Sequence, residues 1–270
     1  MANQEHLALL KQGGATWNQW RADHPEIEPD LRDVDFEEID LTGVDLRGVD
    51  LRGSSIRMDG MDLQRVNLSG EDFDYGGFEQ TNLSEANLSG AWFDSARCID
   101  VNLQGANLSH AYLEQASFTR TNLSGADLSE VAATWVYLSE VNLSQANLFR
   151  AELSGASLQG INLCEANLHQ ANLSSRPRDW EKHPLSRFER ANLRKADLRR
   201  ANLSQANLNE ADLSYANLQG ANLEQAQVEG ANFQGADLRG IPWTVITTLK
   251  AQSGANFERV LWDQPEEKTR

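Results

Sequence analysis

The chain has 270 residues, with 24 Lys and Arg against 40 Asp and Glu, a net charge of -16, and 40% hydrophobic residues. So acidic a chain is ill suited to binding nucleic-acid phosphates directly, and two cysteines make no disulfide framework. With no signal-peptide pattern and no apolar run long enough to span a bilayer, a soluble, cytoplasmic protein without membrane association is expected.

Residues 1–29 precede any repeat. Leu7, Leu10, Trp17 and Trp20, with Gly13 and Gly14 between two helical pieces and Pro25 after them, predict a helical N-terminal cap. From Leu31 to Leu238 a large apolar residue then recurs at every fifth position, and 36 of the 40 slots are Leu or Phe. Residues five apart on an α-helix point about 140° away from each other, so this row forms no helical face. A straight strand fails too, because an odd spacing sends alternate side chains to opposite faces. The chain must turn every five residues, which makes it a solenoid.

The stretch Ala201, Asn202, Leu203, Ser204, Gln205, then Ala206, Asn207, Leu208, Asn209, Glu210 shows the unit plainly. Leu is central, Ala stands two before it, Asn or Asp one before it, and two variable polar residues follow. This pattern resembles the A(N/D)LXX motif of the pentapeptide repeat family, in particular cyanobacterial members with a helical N-terminal cap. The resemblance covers about Asp30 to Trp243. It implies an all-β fold, a right-handed quadrilateral β-helix with one pentad per side.

The frame has its own breaks. Centres run from Leu31 to Ile56, resume two residues out of step at Leu63, continue unbroken to Leu173, and run again from Phe188 to Leu238. A bulge or wider corner is expected after Arg57 to Gly60. Met61, Thr81, Val101, Thr121, Val141 and Ile161 replace the usual Ala at intervals of 20, so one side of a four-pentad coil has more room than the others, although Val131 and Val136 show that the rule is not exclusive. Forty pentads make about ten coils. Cys98, Ala133 and Val228 fill central slots and predict thinner packing. Residues 174–187, SSRPRDWEKHPLSR, form a loop insertion inside the 30–243 repeat domain, and 244–270 a C-terminal cap and tail.

Catalysis needs convergent groups in a concavity, and here the interior is given over to Leu, Phe and Ala. His110 and His169 fall outward on different coils, His6 and His24 in the cap, and His183 in the loop, none with metal-ligand spacing. No catalytic residue, cofactor or metal is expected. The outward aromatics are more informative. Trp92 and Tyr112 precede centres 20 residues apart and should stack, Tyr75 and Trp135 lie at the trailing corner of the same side, Tyr137 is just round it, and Trp180 in the loop could fold back toward them. These six mark a candidate face for an unidentified protein partner. The plainer alternative is that the rings cover thin packing beside Ala133.

A rigid, non-catalytic and regulatory interaction module is the leading reading. Some members of the family are thought to protect DNA gyrase by imitating duplex DNA, so the resemblance also implies a DNA mimic as the alternative. Acidity favours it. Against it, 21 acids and 8 bases within residues 1–100 concentrate the charge at one end, and a basic band of Arg187, Arg190, Arg194, Lys195, Arg199 and Arg200 interrupts the rod. That band could also meet the acidic end of a second copy in salt-sensitive self-association of a mostly monomeric protein.

Overall fold

In a computed structural model, describing residues 2–36, 39, 41, 44–53, 58–175, 187–252 and 254–263, the Leu row becomes the axis of the molecule. The chain winds as a right-handed, four-sided β-helix. The sides are numbered one to four from Leu63, Leu68, Phe73 and Phe78. Central side chains and the residues two before them are almost all buried, in one continuous core from Leu31 to Leu238.

Each pentad satisfies its backbone in two directions. Leu83 N–H donates to Asn102 O on the next coil at 2.7 Å, Asn102 N–H returns to Thr81 O at 2.9 Å, and Ala86 N–H closes the corner onto Leu83 O at 3.1 Å. The corner places the fifth residue in the left-handed region whether or not it is glycine: Gly125 has φ 66° and Gln115 φ 59°. For a non-glycine residue that conformation costs about 1–2 kcal/mol, offset by hydrogen bonds that only the turned chain can form.

Most inter-coil pairing consists of single parallel bridges, but side four has true strands. β1 (Gly77–Glu79), β2 (Arg97–Ile99), β3 (Ser117–Thr119) and β4 (Tyr137–Ser139) form one parallel sheet in that order. The extra room expected on one side lies at the corner that follows their extended exit, filled by Thr81, Val101, Thr121 and Val141, all buried. The Thr81 hydroxyl donates to Met58 O at 2.9 Å. Cys98 lies between Phe78 and Phe118 in the same ladder, and burial pushes its thiol up to about 12.

The break near residue 57 resolves differently from the expected wide corner. Asp50 pairs with Asn67, only 17 residues on, so this coil is three residues short. A slip of two forward and one of three back are equivalent modulo five, and Met58, buried five before Leu63, takes the inward slot of the new frame. Ile56 lies outside the described residues. The insertion leaves the side order intact: Leu158 N–H donates to Arg187 O, and Asn162, Asn167 and Asn172 pair with residues 30 further on, where 20 is the rule.

Both ends of the solenoid are covered. Helix α1 (Gln4–Lys11) and helix α2 (Gly14–Asp23) engage edge groups of the first coil. Asp30 N–H donates to His6 Nδ1 at 3.0 Å, Trp17 Nε1 donates to Asp45 O at 2.8 Å, and Asp45 N–H donates to Asn18 Oδ1 at 2.8 Å. Unpaired edges would otherwise recruit further strands. At the far end the apolar run becomes helix α3 (Trp243–Lys250), after which Asn256 and Leu261 rejoin the ladder on Asn232 and Asp237. The Phe257 ring stacks on Phe233 at 5.0 Å. Side two thus has twelve rungs from Asp30 to Leu261, or about 53 Å at strand spacing.

The residue before each centre supplies a second ladder. Asn162 Nδ2 donates to Asn142 Oδ1 at 2.8 Å, while Asn162 Oδ1 accepts from Asn192 Nδ2 at 3.0 Å and from Cys164 N–H at 3.2 Å. Asn162→Ala removes all three bonds and strands half-buried partners, so it is expected to destabilise the fold by about 1–3 kcal/mol. Urea unfolding of the two proteins measures this.

Candidate functional site

An outward position repeated every 20 residues becomes a column along the rod. On side three the column before the centres reads Asp72, Trp92, Tyr112, Ala132, Glu152, Asn172. Trp92 and Tyr112 meet as expected: their rings lie 4.1 Å apart at 17°, yet the residues stay 42% and 40% exposed. Coil spacing is close to ring-stacking distance, so two aromatics on successive rungs stack without further design.

The remaining aromatics divide. Trp135 sits in the corner column of this side and is half-buried; a Cβ on Gly155, one coil on, would collide with its ring. Trp135 therefore packs on that glycine. Tyr75 stands in the same column with Ser95 one coil on, and remains 83% exposed. Tyr137 belongs to side four, pairs with Ser117 and Ser157, and is 51% exposed. Trp180 lies outside the described residues. Tyr215, 52% exposed on side one, was not singled out from the sequence; its ring lies against Gly235. A corner aromatic followed 20 residues later by glycine marks both Trp135 and Tyr215, and that spacing was readable in advance.

Beside the Trp92–Tyr112 pair runs a chain of carboxylates joined through backbone amides. Asp74 N–H donates to Asp72 Oδ1 at 3.0 Å, Asp94 N–H to Asp74 Oδ1 at 2.8 Å, and Glu114 N–H to Asp94 Oδ1 at 2.7 Å. Burial pushes the Asp94 carboxyl above its ordinary value, opposed by the Glu114 N–H and helped by the charges of Asp74 and Glu114. Asp30 and Asp237 show the reverse: hydrogen bonds from Arg32 and Arg239 draw each down to about 2.

The basic band is brought together as a collar and not as a face. Arg187 and Arg190 lie on side four, Arg194 and Lys195 on side one, Arg199 and Arg200 on side two. Acids meet four of them: Arg190 has Glu210 at 2.8 Å, Arg194 has Asp212 at 3.6 Å, Lys195 has Glu165 at 2.9 Å and Arg199 has Asp197 at 2.6 Å. Arg187 joins the side-four ladder, and Arg200 lines an open groove with His169, Arg239 and Asp263. Acids thus answer four of the six cations, which lowers the net charge that the band presents.

Among the described residues no group of His, Cys, Asp and Glu could hold a metal ion, and no helix is long and apolar enough to cross a membrane.

The family model of pentapeptide repeats matches residues 29–70, 62–97, 96–131, 127–163, 146–175, 186–225 and 206–241. Among solved structures, HetL, a pentapeptide repeat protein involved in heterocyst differentiation regulation from the cyanobacterium Nostoc sp. strain PCC 7120, is 30% identical. The match covers 77% of this chain and 86% of HetL, with a TM-score of 0.44. A structure of QnrB1, a plasmid-mediated fluoroquinolone resistance protein, is 20% identical over 76% of this chain and 88% of its own, with a TM-score of 0.37. Rfr23, a pentapeptide repeat protein from the cyanobacterium Cyanothece 51142, is 18% identical over 93% and 96%, with a TM-score of 0.11. No curated protein matches the chain.

The raised Asp94 carboxyl has a thermodynamic consequence. An acid whose folded value exceeds its unfolded value destabilises the fold while ionised, and the penalty fades as pH falls and the folded state takes up its proton. Asp94→Asn keeps the Oδ1 acceptor and removes the charge. At pH 7 its Tm is expected to exceed that of the wild type by about 1–3 °C, with the difference closing below about pH 4. Thermal melts across pH measure both.

Proposed function

Because the chain belongs to the pentapeptide repeat family, whose members are generally non-catalytic structural and interaction modules, we propose that it is a regulatory interaction protein that docks a protein partner on side three. The observation carrying this reading is the stacked, solvent-facing Trp92–Tyr112 pair. Large aromatic side chains are the commonest anchors of interface binding energy, and a rod held by backbone hydrogen bonds on every coil presents them with little ordering left to be done. Tyr75 extends the face on the coil before Trp92, and Tyr137 borders it round the corner. HetL, involved in the regulation of heterocyst differentiation, lends support to a regulatory role.

The DNA-mimic alternative is the weaker reading on charge. Duplex DNA carries a negative charge about every 1.7 Å, whereas carboxylates on sides one, two and four of this rod repeatedly meet arginine or lysine, as in Asp100 with Arg120 at 2.7 Å and Asp237 with Arg239 at 2.6 Å.

A crosslinking pull-down from native lysate, wild type beside Trp92→Ala/Tyr112→Ala, tests the docking face. Both side chains point outward, so the variant should unfold at nearly the same urea concentration. Retention of the partner is expected to fall about 30-fold, the scale of about 2 kcal/mol at an anchor residue. If every retained protein binds both forms equally, side three is not the docking face. DNA gyrase inhibited in a salt-sensitive way by both forms alike would instead favour the mimic.

A further inference from the structure

Side three is set apart by what it lacks. Its outward positions between Asp72 and Gln225 include Asp72, Asp74, Asp94, Glu114, Glu152 and Glu224, but no Lys or Arg among the described residues. Basic residues occur on each of the other sides, for example Lys195 on side one, Arg150 on side two and Arg120 on side four. Those cations sit opposite acids on adjacent coils: Lys195 faces Glu165, and Arg120 faces Asp100. Asp72, Asp74, Asp94 and Glu114 have no such partner among the described residues. Backbone amides hold one oxygen each of Asp72, Asp74 and Asp94, and among the described residues no cation meets the negative charge.

The aromatic column has a matching gap. Trp92 covers one face of Tyr112, while the next rung on the other face is Ala132, a methyl group, with Glu152 beyond it. One coil rises about 4.8 Å, so the Ala132 rung leaves the thickness of one planar group on the open face of the Tyr112 ring, while the Glu152 carboxylate beyond it is held by Asn172 Nδ2. Guanidinium is the side-chain cation shaped for such a place. It is planar, stacks on aromatic faces and pairs with carboxylates through a fork of N–H donors. An apolar partner would instead bury this carboxylate strip without a counter-charge, which is strongly unfavourable.

We propose that side three takes an arginine-bearing segment of a protein partner, one guanidinium lying on Tyr112 at the Ala132 rung and the segment's positive charge set against Asp74, Asp94 and Glu114. This rests on the reading of side three as the docking face and names the chemistry of what docks there. The carboxylates draw the segment to the face and align it, and the gap at Ala132 selects arginine over lysine.

Fluorescence anisotropy with a labelled peptide of alternating Arg and Gly tests the proposal on the full chain, beside a Lys and Gly peptide of equal length. Two variants accompany the wild type. Ala132→Trp prolongs the stack and fills the gap, whereas Asp74→Asn/Asp94→Asn keeps both Oδ1 acceptors and removes two charges. The Arg peptide is expected to bind the wild type about fivefold more tightly than the Lys peptide, and either variant to weaken it about tenfold, with urea melts showing both variants folded. Equal binding of the two peptides, equal binding to all three proteins, or no binding to the wild type overturns the proposal. Separate failure of the docking face remains visible: a captured partner that needs Trp92 and Tyr112 but ignores both variants leaves that face standing and removes the arginine. A partner indifferent to all five positions removes the face itself.

Discussion

The whole molecule depends on the hydrogen bond between one coil and the next. Each pentad gives its central N–H to a carbonyl on the following coil, as Leu83 does to Asn102, and takes a carbonyl on the preceding one. Since these bonds set a step of about 4.8 Å, side chains 20 residues apart are forced into columns. The left-handed corners, the buried Leu row and the closed ends all serve to keep that ladder intact. A corner residue such as Gln115, at φ 59°, is held there by the bonds on either side and not by its own preference.

Columns explain how an acidic chain remains a stable rod. Placed one coil apart, Asn beside Asn forms an amide ladder, Arg beside Asp or Glu forms an ion pair, and an aromatic beside glycine lies flat, as Trp135 does on Gly155. Exposed ion pairs of this kind contribute only modestly one by one, but they leave sides one, two and four with much of their charge answered. Side three departs from the pattern. Among the described residues its carboxylates follow one another without a cation, Asp94 is raised by burial, and two rings stack in the open. Surfaces that retain such a local cost are where binding is commonly found.

Much of this was legible in the sequence because a five-residue period admits one kind of backbone. The Leu positions, the four sides, the extra room at Thr81 and Val101, and the stacking of Trp92 on Tyr112 all follow from counting by five and by twenty. Counting failed where arithmetic is ambiguous. A two-residue slip near Arg57 reads equally as an added bulge or a shortened coil, and packing chose the shorter, with Met58 inside. Counting also grouped Trp135 with the open aromatics, since it did not ask what stood one coil further on. The basic band shows the same limit: six cations close in sequence are distributed round three sides, and Arg190, Arg194 and Lys195 meet acids from other coils.

By itself, then, the sequence determined the repeat, the buried axis and the places where the frame breaks, because each depends on residue identity at a fixed interval. Only the tertiary structure decided which charges are answered, which rings are covered and how the coils continue across the insertion. Those depend in large part on contacts between residues 17, 20, 24 or 30 apart, and the stacking of coils selects among the four.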